Sequence, residues 1–404
     1  MRKPAFVCKE KPTCVCKEPV GACKEIPHIY VRNPAYACKE TIHIASQNAD
    51  VIILLLAMLV PLRYTTCVLR TSISSAGKWK RTTNFVLENG NEGVLSLFWS
   101  SSSAEGKEDM MQYEHENLVK RLARLTSASV SGDYNPHTRF EWPESLSDDQ
   151  LWMSRELLSV YDTTLIEQLS EQQLRQLSKW ESINFYSLNI HGIRELLVEV
   201  SKRLHAPGYE VLAEFFHRFL GEENDHMWFF AQFCLRYGRK VYPDKSIKFP
   251  VSEEFSDPDT ESFLIFSRIL IFEELVDHFN ICMGKDAALH PLIRQINAVH
   301  HEDESRHIAG GREIVKSLYA KLASILSREK LDALGTYLKN YMTASVESLY
   351  NPSVYRDAGL PDPFKCRNEI VKLPARRERH RKFTHRTVSF LNKIDGIVEQ
   401  GFVP

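Results

Sequence analysis

Two copies of a Glu-x-x-His pattern constrain this chain more than any other feature of its sequence. Glu223 and His226 form the first copy, and Glu304 and His307 form the second. Residues three or four apart share one face of an α-helix, so each pair points a carboxylate and an imidazole the same way. His300 stands one turn before Glu304 on that same face. The sequence therefore predicts two helices, each carrying ligand-type side chains along one stripe.

Two other interpretations of these patterns are weaker. A solvated charged face suits Glu302 and Asp303, but it does not suit two histidines in phase with Glu304. A zinc protease helix of the form H-E-x-x-H is excluded after His301, because Ser305 stands where the second histidine must be. Aromatic residues also flank Glu223 closely on both sides, and a carboxylate buried among them needs a cation or hydrogen bonds.

Helical punctuation begins near residue 145. Ser147 with Gln150 and Ser170 with Gln173 have capping-box spacing, so we expect helices to start there. Later boundaries follow from Pro and Gly breaks, and they predict helices over 185–204, 209–237, 260–282, 291–325 and 329–349. The long connection before residue 260 predicts a crossover loop between two pairs of helices. Alternating strand patterns that end in Asn-Gly or Asp-Gly turns, which would indicate β-hairpins, are missing from the helical region. An all-α bundle is the natural interpretation.

Two further carboxylates complete a four-helix pattern. Glu195 precedes Glu223, and Glu273 or Glu274 precedes Glu304, at separations that suit antiparallel hairpins. A Glu from each of two helices with a Glu-x-x-His from each of the other two is the ligand set of ferritin-like di-metal bundles. This predicts an all-α, ferritin-like helical bundle with a di-metal site in its core. The proposed ligands are Glu195, Glu223, His226, Glu273, His300, Glu304 and His307, a set suited to Fe or Mn.

The distribution of cysteine and charge divides the chain into three parts. Residues 1–110 contain repeated Cys-Lys-Glu tripeptides, the apolar run Val51–Leu62 and a basic, Ser- and Thr-rich stretch, and we expect a disordered or transit-like leader. The di-metal domain is expected over 111–365, followed by a basic C-terminal tail over 366–404 that is either solvated or braces the bundle. The location is then cytoplasmic, or organellar if the leader is a transit segment.

The ligand order resembles that of the p-aminobenzoate N-oxygenase family of di-iron arylamine oxygenases, of which His300 is the distinguishing mark. The segments Ser182–Ser187 and Asn351–Gly359 are also similar to that family. The resemblance implies an oxidoreductase with two Fe ions and O2 as co-substrate. It further implies a small aromatic amine, or another small organic molecule, as substrate and an external electron donor.

Two function classes remain open at the level of the sequence. One is an O2-activating di-iron oxygenase, N-oxygenating an arylamine or acting as a hydroxylase or desaturase. The other is a ferritin-like protein that handles iron or peroxide without an organic substrate. The formal net charge of -1 gives no chain-wide attraction for nucleic acid, so none is expected as a partner. His191 and Asp277 are candidates for supporting hydrogen bonds to ligand imidazoles, and association into a homodimer is left open.

Overall fold

The computed structural model describes the backbone of residues 28–32, 39–43, 66–75, 78–89, 95–101, 105–244 and 255–404, and the side chains from residue 116 onward within these ranges. The chain divides into two compact units, Met1–Glu114 and His115–Pro404. The roles expected for the three parts of the sequence, a leader, a di-metal domain and a basic tail, stay predictions.

Five β-strands lie in the first unit: β1 (His28–Arg32), β2 (Lys39–His43), β3 (Thr66–Ser75), β4 (Lys78–Asn89) and β5 (Leu95–Ser101). They pair antiparallel in the order β2-β1-β3-β4-β5. The structure differs here from the expected disordered leader, because the Thr, Val and aromatic residues of β3–β5 also favour strands. The first three Cys-Lys-Glu repeats and the run Val51–Leu62 lie outside the described residues.

Helices make up the regular structure described from Glu105 to Pro404, and the predicted all-α fold is confirmed for this part of the chain. The longer ones are α1 (Glu105–Ser131), α3 (Glu171–Arg203), α4 (Ala213–Phe233), α5 (Pro258–Lys285), α6 (Pro291–Ala323), α7 (Arg328–Ser348) and α10 (Ala375–Lys393). The short ones are α2 (Pro136–Arg139), α8 (Pro352–Asp357) and α9 (Pro363–Lys372). A π-helical turn, Cys234–Gly238, extends α4.

The capping predictions have mixed outcomes. Ser170 and Gln173 form the expected capping box at the start of α3. No helix begins at Ser147, whose hydroxyl accepts a hydrogen bond from the Asp149 amide within a turn. The expected break at Met283-Gly284 is also wrong, because α5 continues to Lys285. A Cβ at Gly284 would lie 3.3 Å from the Ala298 backbone, so this glycine lets α5 and α6 pack closely.

Helices α3 to α6 surround the core as two antiparallel hairpins. Phe230 and Phe233 of α4 pack against Tyr186 of α3 with ring centroids 5.0 and 4.8 Å apart. Phe216 of α4 stacks on Phe266 of α5 at 5.6 Å. This aromatic packing buries apolar area on both sides of the Glu-x-x-His stripes and fixes the relative height of the helices.

The C-terminal helix α10 packs on the bundle, which corresponds to the brace among the roles expected for the basic tail. Arg376 is 1% exposed and donates to the Ser159 carbonyl oxygen at 2.9 Å. Further along α10, the Thr387 hydroxyl donates to Glu274 of α5 at 2.7 Å. Arg379 and Arg386 also pair with groups outside the helix, the Glu156 carbonyl oxygen at 2.8 Å and Asp277 at 2.7 Å. Among the described helices, none combines the length and the apolar character that a membrane span requires.

Candidate metal centre

Six of the predicted ligands come together at the centre of the four helices. Helix α4 contributes Glu223 and His226, α5 contributes Glu273, and α6 contributes His300, Glu304 and His307. All six side chains are almost completely buried. Three carboxylates and three imidazoles in an aromatic surrounding are stable only if cations, protons or hydrogen bonds balance them.

The ligand atoms are close enough to share ions. One atom each from Glu223, His226, Glu304 and His307 lies within 4.8 Å of every other. Nδ1 of His307 is 2.8 Å from Oε1 of Glu223, and Nε2 of His300 is 2.9 Å from Oε1 of Glu304. These pairs join α4 to α6 and one turn of α6 to the next.

The inward atoms of the cluster make no hydrogen bond despite their burial. This is true of Glu223 Oε1, His226 Nδ1, Glu273 Oε1, His300 Nε2, Glu304 Oε2 and His307 Nδ1. Buried polar atoms normally have a partner, and leaving one without it costs about 1–3 kcal/mol. Oxygen and imidazole nitrogen are the donors that Fe and Mn accept. The residues therefore fit a bound metal pair.

Two outer carboxylates orient the imidazoles of α4 and α6. Nε2 of His226 lies 2.9 Å from Oδ2 of Asp303, and Nε2 of His307 lies 2.8 Å from Oε2 of Glu222. An imidazole that donates from Nε2 presents the lone pair of Nδ1, which is the atom that points into the cluster. The pairing is crosswise, because each acid precedes the Glu of one helix and holds the histidine of the other.

The outer carboxylates are themselves held by three further side chains, two of them from outside the hairpins. Tyr134 donates to Oδ2 of Asp303 at 3.0 Å, and Ser129 of α1 donates to Oε1 of Glu222 at 2.6 Å. Arg306 pairs with both acids and lies 2.8 Å from Oε1 of Glu222. Since every oxygen in this layer has a donor, the orientation of both imidazoles is fixed.

His300 has a different partner. Its Nδ1 is 2.7 Å from the side-chain amide of Asn280 on α5, and His300 is 1% exposed. Nδ2 of Asn280 is the atom at this position, and its Oδ1 is buried without a partner. If the amide is turned over, Oδ1 accepts the proton of His300 Nδ1, and Nε2 keeps its lone pair toward Glu304. The third imidazole is therefore tied to α5, whereas the other two are tied between α4 and α6.

The buried charges of the cluster shift the pKa values of its members. Burial lowers the pKa of His226, but the charges of Glu223 and Asp303 outweigh burial and raise that pKa to about 10. Burial and the charge of Glu304 raise the pKa of Glu273 well above its ordinary value. Burial also acts to raise the pKa of Glu223, yet the imidazole charges beside it hold the pKa well below the usual range. Metal binding at these groups would therefore be linked to the release of protons.

A family model describes the larger part of this chain. The model of the p-aminobenzoate N-oxygenase AurF matches residues 115–395. The chain belongs to the AurF family. Its membership identifies an oxidoreductase with a di-metal site, and it confirms the resemblance drawn from the ligand order. The match includes α10, which lies beyond the boundary at residue 365 expected for the di-metal domain.

Other relatives of this AurF-family protein are distant. Uncharacterized proteins of Mycobacterium tuberculosis and Mycobacterium bovis are each 21% identical to it over 264 residues, which make up 63% of this chain and 74% of theirs. Two variants of an R2-like ligand-binding oxidase with a reconstituted Mn/Fe cofactor are similar in structure at 14% identity. Their TM-scores are 0.40 and 0.38, and the similar regions cover 66% and 69% of this chain and 91% and 93% of those chains.

Glu195, the seventh predicted ligand, does not join the cluster of this AurF-family protein. Its side chain is 51% exposed, and Oε2 lies 3.7 Å from Nη2 of Arg268. Tyr186 points into the bundle, where its hydroxyl receives a hydrogen bond from Asn297 of α6 at 2.7 Å. At about 100° per residue, position 195 faces the opposite side of α3, whereas Ile193 returns to the interior and is 1% exposed. The prediction of Glu195 as a ligand is therefore wrong.

The structure distinguishes Glu273 from its neighbour. Glu274 accepts hydrogen bonds from Arg312 at 2.7 Å and from Thr387, so both of its oxygens are engaged away from the cluster. Glu273 keeps an unpartnered Oε1, and burial together with the nearby charge of Glu304 raises its pKa. Glu273 is thus the residue that faces the centre.

The two residues expected to support ligand imidazoles have other roles. Nε2 of His191 lies 2.7 Å from the Tyr242 carbonyl oxygen. Asp277 binds His301 at 2.5 Å and Arg386 of α10 at 2.7 Å. Glu222 and Asp303 do this work instead. Their signal in the sequence is an acid immediately before the Glu of both Glu-x-x-His patterns, Glu222 before Glu223 and Asp303 before Glu304.

Proposed function

We propose that this protein is a di-iron oxygenase that uses O2 to oxidise the nitrogen of a small arylamine. The observation that carries the proposal is the third buried imidazole, because His300 Nε2 lies 2.9 Å from Oε1 of Glu304 without forming a hydrogen bond. Membership of the p-aminobenzoate N-oxygenase family supports the same reaction. Two iron ions are the proposed cofactor, held by the six residues of the cluster.

The iron pair, when bound, supplies the redox chemistry that activates O2. The residues of the chain provide a fixed and dry surrounding. Asp303 and Glu222 keep His226 and His307 in the tautomer that ligates. The ring of Phe219 lies 4.6 Å from that of His307, and the ring of Phe230 lies 4.8 Å from that of His300. These rings exclude water from the histidine side of the site.

The first oxidation has a simple balance. An arylamine, O2, two electrons and two protons give an arylhydroxylamine and water, with one oxygen atom forming the new N–O bond. The electrons come from an external donor, which the proposal requires as a partner. Further rounds carry the nitrogen towards the nitro level. A cytoplasmic or organellar location and a homodimer remain part of the proposal.

The test uses the full chain, loaded anaerobically with ferrous iron. We expect about two iron ions per chain and, after addition of O2, a reductant and p-aminobenzoate, hydroxylamine or nitro products by mass spectrometry. Glu223→Ala is the control without a complete ligand set, and it should lose both iron and product. Iron uptake with oxygen consumption but no oxidised amine would favour iron or peroxide handling. A product oxidised only at carbon would favour a hydroxylase or desaturase.

A further inference from the structure

Helix α10 carries a large share of the positive charge of a chain whose formal net charge is -1. It contains seven Lys and Arg residues and one acid, Glu378. Residues four apart lie along one line of a helix, so the exposed basic residues form two adjacent rows on the side opposite the buried one. These residues, named here the basic face, are Arg377, Arg381, Lys382, His385 and Arg386.

Partners within the chain neutralise only part of the basic face. Arg386 pairs with Asp277 of α5, and Arg381 pairs with an acid in the preceding turn of α10. Arg377 and Lys382 form no ion pair with any residue that the structure describes. The face therefore keeps positive charge for a partner from outside the chain.

A half-buried histidine under this helix is exposed to the same charge. The ring of His278 on α5 lies 5.1 Å from that of Phe383 on the inner side of α10. Burial lowers the pKa of His278, and three cations of α10 lower it further, to about 4, against the opposing charge of Asp277. The cations are Arg379, Lys382 and Arg386. Positive charge thus outweighs the nearby acid on this side of the bundle.

The inner side of α10 contacts the residue next to a metal ligand. The Thr387 hydroxyl, one position after Arg386, donates to Oε2 of Glu274 at 2.7 Å. Glu274 immediately follows Glu273, the α5 ligand that faces the cluster. One side-chain hydrogen bond and one peptide unit therefore join α10 to the metal site at this point.

A second route starts from the basic face itself. Arg386 donates to Oδ2 of Asp277 at 2.7 Å, and Oδ1 of Asp277 lies 2.5 Å from Nδ1 of His301. Asp277 is 0% exposed, and His301 immediately follows the ligand His300. Short bonded routes thus connect α10 to ligands on two different helices.

The position beside the metal centre favours one class of partner. Nucleic acids and anionic membranes are also attracted by positive charge, but their binding gains nothing from a buried metal pair. An electron carrier does gain, because the rate of electron tunnelling falls steeply with distance. A helix of 19 residues is about 28 Å long, which suits the small interfaces, below about 1,200 Å², of transient electron-transfer complexes.

We infer that the basic face of α10 is the docking surface for a small acidic protein that carries one electron at a time. This inference rests on the proposed function, which requires an external electron donor. Each carrier arrives reduced, gives one electron and leaves oxidised, so two encounters supply the two electrons of one oxygenation, and the two protons come from water. Opposite charges raise the association rate more than the affinity, which suits repeated delivery.

A plant-type [2Fe–2S] ferredoxin is the probe, because it is acidic and its low potential lets it reduce ferric iron. The full chain is loaded with iron, oxidised with O2 and made anaerobic, and stopped-flow absorbance follows the oxidation of reduced ferredoxin. Surface plasmon resonance with oxidised ferredoxin and the metal-free full chain measures docking apart from any redox step. Arg377→Gln/Lys382→Gln removes the two charges of the basic face that lack an acidic partner among the described residues.

We expect this double variant to lose about tenfold in the rate of ferredoxin oxidation at low ionic strength, with a weaker dependence on salt than the wild type. Its docking signal should fall in parallel. Arg377→Lys/Lys382→Arg keeps both charges and should behave as the wild type. Arg124→Gln/Lys330→Gln is the matched control, since it removes two exposed charges on α1 and α7, and it should keep the rate within about twofold.

Several outcomes would overturn the inference. These are a wild type that neither docks nor oxidises ferredoxin, equal rates for Arg377→Gln/Lys382→Gln and the wild type, or as large a loss in the control. Tighter docking of duplex RNA or of phosphatidylserine vesicles than of ferredoxin, lost in the same variant, would also overturn it.

A product assay separates this inference from the proposed function. Ferredoxin oxidation that depends on the basic face, without an oxidised amine when O2 and p-aminobenzoate are added, would support the inference and contradict the proposed function. Oxidation of p-aminobenzoate with ascorbate as the reductant, by a chain that does not dock ferredoxin, would do the reverse.

Discussion

Asp303→Asn is expected to weaken metal binding although Asp303 is not among the inward-facing ligands. Its carboxylate is 3% exposed and accepts from Nε2 of His226 at 2.9 Å and from Tyr134 at 3.0 Å. It also pairs with Arg306, and burial of the acid is outweighed by His226 and Arg306, so its pKa is lowered to about 2. The acid is thus ionised at neutral pH. The asparagine side chain of the variant removes the negative charge that pairs with His226 and Arg306.

The magnitude follows from the bond that is lost. A hydrogen bond to a charged group contributes about 1.5–3 kcal/mol, and loss of a carboxylate behind a ligating imidazole costs about 10- to 100-fold in metal affinity. We therefore expect ferrous iron to bind Asp303→Asn at least about tenfold more weakly than it binds the wild type. The metal-free variant should also unfold at a lower denaturant concentration, because Arg306 keeps its charge without Asp303.

An anaerobic competition with a coloured iron chelator measures the affinity, and urea unfolding measures the stability. Glu302→Gln is the matched control, since Glu302 is the neighbouring acid on α6 but is exposed. The reasoning is refuted if Asp303→Asn holds iron as tightly as the wild type, or if Glu302→Gln loses as much.

Three further predictions concern other parts of the structure. His300→Ala should keep the helical fold but lose arylamine oxidation in single-turnover product analysis. His301 bonds to Asp277 outside the cluster, so His301→Ala should keep its activity. A larger loss from His301→Ala than from His300→Ala would contradict this assignment. Burial raises the pKa of Glu181 to about 7, so its contribution is present below about pH 4.5 and is lost as the pH rises through 7. Urea unfolding at pH 5 and pH 8 should then show a fall about 2–3 kcal/mol smaller for Glu181→Gln than for the wild type, and equal pH profiles would count against it. Removal of residues 375–404 should lower the melting temperature and expose Glu274, whereas removal of residues 1–114 should leave iron binding unchanged; the opposite pattern would show that the C-terminal helix is dispensable.

The ligands of α4 and α6 were predictable because these helices have a clear apolar phase, whereas α5 is buried at every position from 273 to 277 and the sequence left Glu273 and Glu274 undecided. In α6, for example, His300, Glu304 and His307 recur at helical spacing, so the sequence itself defines the face. Helix α3 lacks such a phase, since 181–187 are all buried. The position of Glu195 along the α3 axis matches that of Glu223 on α4, and this favoured Glu195 as a ligand. The direction of its side chain around that axis excludes it. The position along a helix and the direction around it are independent, and for α3 only packing against α4 and α5 determines the direction.

The crosswise carboxylates were not predictable for a related reason. Glu222 is rotated about 100° from Glu223 on the same helix, so a search along one stripe does not include it. Its partner, His307, lies on another helix. A side-chain contact between two helices depends on how closely and in what register the helices pack. The residue pattern within one helix does not specify either.

The charges around the core carry a consequence for the oxidation state of the site. The carboxylates of Glu223, Glu273, Glu304, Glu222 and Asp303 supply five negative charges, and Arg306 returns one positive charge. With neutral imidazoles, two divalent ions make this interior electrically neutral. Each electron removed from the pair then leaves one surplus positive charge in a medium of low dielectric constant, where such an excess is costly. A divalent pair bound here would therefore match the charge of the surrounding residues, and an oxidised pair would need an added anion for the same balance.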